Sequence, residues 1–295
     1  MINRNIRYTD KDRSREYSAV FSRRVFNDIL NRDDFSYIDT IANRYDSELT
    51  STGKYTTYFE YLKHLYRHLS KEYRCEYLYK NTILNELLIK QHGTKNTIAI
   101  NEFRAGDTIV DIAMFNGVSK AFEIKTEYDT DKRLTSQLSN YSKIFQECYI
   151  VIPENLLSKY EAIIDDNIGI DLLYKERGLL KIKTYRGAKT NTTVDALVMI
   201  KSLRSREYKN IVIKKFGKLP DVSSFKMFDA CLELLKQIEC KELQHLFNEE
   251  LKLRKTVTQN LGQVAKELRQ ICLSMNLGLE LYSELEQKLK TKIIT

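Results

Sequence analysis

The sequence predicts an α/β protein, a mixed-sheet core at residues 71–190 between helical regions at 1–70 and 191–295. Three observations predict it. The hydrophobic pattern passes from helical spacing to short β-branched runs near residue 97 and returns to helical spacing near 193. An Asn116-Gly117 pair separates two of the strand-like runs, a strong hairpin signal. Two prolines and ten glycines in 295 residues leave few enforced breaks, which suits long helices outside the core.

In the N-terminal region, residues 58–69 (YFEYLKHLYRHL) carry apolar side chains at helical spacing. A helix follows over 72–91, then strands over 97–103, 108–115 and 118–124, punctuated by Gly106 and Asn116-Gly117. Over 131–146, Leu134, Leu138, Tyr141 and Phe145 recur at i, i+4, i+7 and i+11, one face of an amphipathic helix. Residues 148–152 (CYIVI) read as a buried strand closed by Pro153. The order helix, strand, strand, strand, helix, strand defines a mixed unit. Segments 168–174 and 179–184 extend its sheet. Beyond 193 the pattern is helical, with a linker at 219–224 and long helices expected over 225–253 and 256–290.

With 42% hydrophobic and 30% charged residues, the composition is that of a soluble globular protein. No apolar run approaches the roughly 18 residues that would cross a bilayer, and the polar first seven residues lack a signal peptide's apolar stretch, so the expected location is cytoplasmic. Cys75, Cys148, Cys231, Cys240 and Cys272 are odd in number, far apart and without a CxxC pair, which points to free thiols in the core. His64 and His68, four apart on one helix, have no HExxH glutamate between them and read as paired surface residues. Phosphate-binding glycine loops and GxSxG nucleophile motifs are absent.

The chemistry points to the middle of the core. Asp111 sits inside the strand TIVDIAMF, where an acid among apolar neighbours breaks the local pattern. Glu123 and Lys125, in AFEIK, share one face of the next strand, with Phe122 and Ile124 on the other. A hairpin at Asn116-Gly117 lays Asp111 alongside Glu123. Two carboxylates and an ammonium then converge, and Asp111, Glu123 and the Ile124 carbonyl can supply a shell for Mg²⁺ or Mn²⁺, which favours oxygen ligands together with water and phosphate. Such a cation activates water for hydrolysis, and Lys125 is placed to orient it or to offset charge on the phosphate.

The run of EFRAGDTIVDIAMFNG at 102–117, FEIKTEYDTDKRLTSQLSNY at 122–141, CYIVIP at 148–153 and RCEYLYKN at 74–81 resembles the core of the PD-(D/E)xK nuclease superfamily. Within it, the sequence more closely resembles a bacterial family carrying an EIKTE signature. The resemblance covers about 80 residues. It implies a restriction-endonuclease-like fold, α-β-β-β-α-β around a Mg²⁺ site, and a nuclease activity. It matches Asp111 to the strand aspartate, with Val110 where the motif has proline. Glu123 and Lys125 match the E-x-K pair, and Gln137 a glutamine used near the phosphate. It also implies an acid on the preceding helix as a further catalytic and metal ligand. Glu76 is the better match for that role and Glu86 the competitor.

The net charge of +8 is concentrated in one place. Residues 175–220 hold thirteen Lys or Arg against three acids, a local excess that exceeds the charge of the whole chain. Lys181, Lys183, Arg186, Lys189, Arg204 and Arg206 are the candidate contacts to a phosphate backbone, with Tyr174, Tyr185 and Tyr208 placed between them for stacking. The expected partner is DNA, with RNA and a homodimer as further options and no membrane. The expected function is metal-dependent hydrolysis of DNA. The competing readings are a nuclease fold kept as a DNA-binding or regulatory module, and an RNA-directed toxin.

Overall fold

The computed structural model describes residues 9–293, which form two compact units. One comprises the described parts of Met1–Asn85, Lys175–Leu180 and Asn260–Thr295, the other Glu86–Tyr174 and Lys181–Gln259. These divisions fall elsewhere than at 70/71 and 190/191, because the last helices pack with the first ones. Among the described residues no helix is long and apolar enough to cross a membrane.

The first unit is helical. It opens with α1 (Asp10–Val20), α2 (Arg23–Arg32), α3 (Ser36–Tyr45), α4 (Ser47–Ser51), α5 (Tyr58–Glu72) and α6 (Glu76–Ile83). Thr9 with Asp12, and Thr57 with Glu60, form capping boxes at α1 and α5, satisfying amides that the first turn leaves free. Tyr17, Phe26, Ile29, Tyr61, Leu65 and Leu69 are fully buried. Within this apolar core lies Asp46, 2% exposed. It accepts hydrogen bonds from the Tyr17 hydroxyl at 2.5 Å, the Tyr61 hydroxyl at 2.7 Å and Arg13 Nη2 at 2.8 Å. His64 and His68 are half-buried rather than paired on the surface. The Tyr55 hydroxyl lies 2.9 Å from His64 Nδ1, and Ser14 Oγ lies 3.1 Å from His68 Nε2.

The second unit carries the sheet apart from the tip of its last hairpin at 175–180, and the strands are β1 (Ile98–Ala105), β2 (Thr108–Phe115), β3 (Ser119–Ile124), β4 (Glu147–Pro153), β5 (Gly169–Glu176) and β6 (Leu179–Arg186). They lie in chain order in one six-stranded sheet. β1, β2 and β3 pair antiparallel, while β4 runs parallel to β3 and β5 parallel to β4. A π-helical segment, Leu84–His92, precedes the sheet. Its helices are α7 (Leu134–Ser142), α8 (Leu157–Glu161), α9 (Ala196–Ser202), α10 (Ser205–Phe216), α11 (Met227–Leu235) and α12 (Cys240–Lys252). Phe103, Phe115, Tyr141, Phe145, Ile150 and Phe247 form the centre of one buried cluster.

The two long helices expected from the pattern are each divided. Glu239 caps α12 through the amides of Lys241 and Glu242, which separates it from α11. After a 3₁₀ segment, α13 (Arg269–Met275) ends at Asn276 in a left-handed conformation, φ 53°, before α14 (Leu279–Leu289). These two belong to the first unit, where Lys288 Nζ donates to the Leu30 carbonyl at 2.6 Å. Three of the five free cysteines are buried, and Cys75 and Cys240 are half-buried.

Candidate functional site

β1 and β2 change faces together at one rung. Ile100 and Ala113 are partners that face the main core, yet three residues along each strand Phe103 and Val110 are partners facing the same core. In an uninterrupted strand, residues three apart point to opposite faces. Between these rungs Glu102 and Asp111 are missing from the ladder, and Glu102 is left-handed, φ 53°. A non-glycine residue in that region carries strain and marks a bulge-like irregularity.

The slip frees Asp111 from its ladder position. The β2–β3 ladder ends at Ile112–Phe122, and one further step of that register sets Asp111 against Glu123. There Asp111 Oδ2 accepts a hydrogen bond from the Ile124 amide at 2.8 Å, taking the place of a backbone carbonyl. Glu123, 3% exposed, is held at both oxygens. Lys125 Nζ donates to Oε1 at 2.7 Å and the Tyr141 hydroxyl lies 2.7 Å from Oε2. Lys125 also reaches Gln137 Oε1 at 3.3 Å. The Tyr141 hydroxyl lies 2.6 Å from the Ile109 carbonyl as well, so its single hydrogen has two acceptors. Burial first, then the negative charges of Glu123 and Asp111, push the Tyr141 phenol well above its ordinary range and keep it protonated.

Lys125 and Gln137 line a cleft of about 520 Å³ together with Arg133, Ser136, Asp129 and the β1–β2 turn. Asp129 fixes the chain leaving β3 by accepting from the Thr126 amide and hydroxyl, both at 2.8 Å. On the other wall, the Gly106 amide donates to Ser202 Oγ at 2.9 Å, which pins the turn to α9. Gly106 has φ +62°, and a Cβ there would lie 2.9 Å from Val198 Cγ1. Gly106→Ala is therefore expected to lower stability by about 1–2 kcal/mol, read as a fall in melting temperature.

The expected site residues are placed unequally. Asp111, Glu123, Lys125 and Gln137 come together. Glu76 lies in the other compact unit, at the start of α6, ion-paired with Lys80 at 2.6 Å. Glu86 is held by Lys90 at 2.6 Å and Lys181 at 3.4 Å. Among the described residues no group of three or more His, Cys, Asp or Glu side chains gathers as a metal site. Neither Glu76 nor Glu86 thus forms such a group with Asp111 and Glu123. Tyr141 was legible only as an apolar helix position, and Glu102 carried no signal.

The basic segment is less free than its sequence suggests. Lys181 pairs with Glu86, Lys183 with Glu154 at 2.6 Å, Arg186 with Asp166 at 3.4 Å and Lys215 with Glu242 at 2.6 Å. Arg186 also donates to the Ile168 carbonyl at 3.0 Å, so its guanidinium serves the fold. Lys189 borders a separate polar pocket of about 190 Å³. Arg204 lies 4.0 Å from Glu207, and Arg206 is exposed. Tyr208 does not interleave with these charges in solvent. It is 7% exposed and packs edge-on against Phe228, whereas Tyr185 is exposed.

Residues 69–275 match the family described as bacteriophage P4 protein cII. Protein cII of Enterobacteria phage P4 is 22% identical over 192 residues, 63% of this chain and 66% of that protein. The matched region is thus just under two thirds of that relative's length. A solved structure of a protein of unknown function from Silicibacter pomeroyi aligns with a TM-score of 0.31 at 10% identity, covering 46% of this chain and 88% of the other.

Proposed function

The chain belongs to the bacteriophage P4 protein cII family, and from that footing we propose that it is a Mg²⁺- or Mn²⁺-dependent nuclease that hydrolyses phosphodiester bonds of DNA. The observation that carries this is the pairing of Asp111, locked onto the Ile124 amide, with a buried Glu123 held by Lys125 at the edge of a cleft. The chain order α6–β1–β2–β3–α7–β4 supports a restriction-endonuclease-like core of the PD-(D/E)xK type.

The donor set fits a hard cation. Asp111, Glu123 and the Ile124 carbonyl would hold it, and two protein carboxylates are what Mg²⁺ commonly takes while water and substrate phosphate complete its shell. Bound there, the cation would lower the pKa of a coordinated water and offset phosphoryl charge. The remaining work belongs to the chain. Tyr141 fixes one Glu123 oxygen. Lys125, which lines the cleft and is steadied by Gln137, presents an ammonium to a phosphate oxygen or to the attacking water. Arg133 on the same wall supplies a second cation for the phosphate.

The test is cleavage of plasmid, single-stranded DNA and tRNA with Mg²⁺ or Mn²⁺, with Lys125→Ala as control. The expected result is DNA cleavage by the wild type and loss of it in the variant. DNA binding without cleavage under any of these conditions would replace the nuclease with a binding module, and cleavage of tRNA alone would replace it with an RNA-directed enzyme.

A further inference from the structure

The cations of the basic segment divide into two sets. Those on β6 are largely neutralised by acids distant in sequence, as described above. On α10 and the loop after it, Arg206, Lys209 and Lys218 have no ion pair or side-chain hydrogen bond among the described residues. Arg206, Lys209, Ile213 and Phe216 lie at i, i+3, i+7 and i+10, an arc of about 80° on one helix face. On that face Ile213 is 43% and Phe216 36% exposed. The loop beyond carries Phe225, 91% exposed, followed by Lys226. Phe225 thus presents nearly its whole ring to water next to a lysine in the chain, which leaves the ring face open to stacking.

Only one kind of partner matches both features. A polyanion answers the cations, and a partner with open aromatic faces answers the phenylalanines. A base-paired duplex hides its base faces in the stack, whereas a single strand offers each base for stacking on an aromatic ring. The surface is also joined to the cleft, because Ser202, three residues before the start of α10, holds the β1–β2 turn that forms one cleft wall.

We infer that the outer face of α10 and the loop 217–226 form a docking surface for single-stranded DNA, with Phe216 and Phe225 stacking on bases and Arg206, Lys209 and Lys218 contacting phosphates. The inference rests on the nuclease reading for its choice of DNA, and it assigns to that site a single-stranded substrate.

The test uses the full chain and fluorescence anisotropy with a labelled single-stranded DNA oligonucleotide, the same sequence as a duplex, and its RNA counterpart. EDTA is present throughout, so that binding is read apart from cleavage. Single-stranded DNA is expected to bind more tightly than duplex, and Phe225→Ala to weaken it about tenfold. The double variant Lys209→Ala/Lys218→Ala should flatten the slope of log affinity against log salt by about 1.4. All of these positions lie at the surface, and unchanged circular dichroism verifies the fold of each variant. Equal affinity for the duplex, an unchanged Phe225→Ala, or stronger binding of RNA would overturn the inference. So would a concentration-dependent dimer that Phe225→Ala abolishes in a protein that binds no oligonucleotide. Cleavage that persists with an unchanged Phe225→Ala defeats the docking surface alone, and single-strand binding without cleavage defeats the nuclease alone.

Discussion

Asp111→Asn is expected to lower DNA cleavage by on the order of a thousandfold, about 4 kcal/mol of transition-state stabilisation. DNA affinity measured in EDTA should stay within about twofold, because the groups that hold a strand are separate from those that cut it. Asparagine is the informative replacement. Its amide oxygen still accepts from the Ile124 amide, which the native carboxylate does at 2.8 Å, so the β2–β3 junction survives while the charge is lost. Asp111→Ala also orphans that amide, at a cost of about 1–3 kcal/mol if it is left unsatisfied, and so mixes a folding defect into the result. Cleavage by Asp111→Asn at close to the native rate would show that Asp111 holds no cation.

Asp46→Ala is expected to remove about 3–5 kcal/mol from the first unit, since it leaves the Arg13 charge and two buried phenols without their acceptor. Against a typical total of about 5–15 kcal/mol, that approaches unfolding. The same acid makes the unit sensitive to low pH. Burial alone would raise the Asp46 pKa, but the His64 ring 3.7 Å away, hydrogen bonds from Tyr17 and Tyr61 and the charge of Arg13 hold it down at about 2, against an ordinary value of 3.8. The unfolded chain therefore takes up this proton at higher pH than the folded one. The contribution of about 2 kcal/mol is present above about pH 4 and is lost as pH falls through about 2. Urea unfolding at a series of pH values should show this loss in the wild type and not in Asp46→Asn. A parallel decline in both would assign acid lability to other groups.

How much of this could be read from the sequence depended on whether the controlling interactions were local. β1 to β4 followed from alternation, the Asn116-Gly117 pair and the CYIVI run, because strand period and turn chemistry are properties of short segments. Asp111, Glu123 and Lys125 were legible for the same reason, being acids and an amine at positions that otherwise read as strand interior, whereas Gln137 was implied only by the family resemblance. Tyr141 was not legible, because a tyrosine on an apolar helix face looks the same whether or not its hydroxyl reaches a carboxylate 18 residues away. The charge of residues 175–220 misled in the opposite direction. Glu86, Glu154, Asp166 and Glu242 lie outside that window, so counting within it could not include the acids that neutralise it. The division of the long helices turned on a glutamate cap at α12 and, before α14, on a left-handed Asn276 followed by Gly278 at the N-cap, single-residue signals that the apolar periodicity on either side outweighed.

The shared change of face at Glu102 and Asp111 restricts how this protein can drift in length. Because both strands slip at the same rung, the two irregularities cancel and Phe103 still meets Val110. Losing or gaining one residue in β1 alone would turn Phe103 and Ala105 outward while Val110 stayed inward, exchanging core for surface along half a hairpin. A viable descendant would need a matching change in β2, and that second change would shift Asp111 away from Ile124. Insertions and deletions in this hairpin should therefore collect in the turn around Gly106 and Asp107 and spare the strands, even where the identity of individual side chains has changed freely.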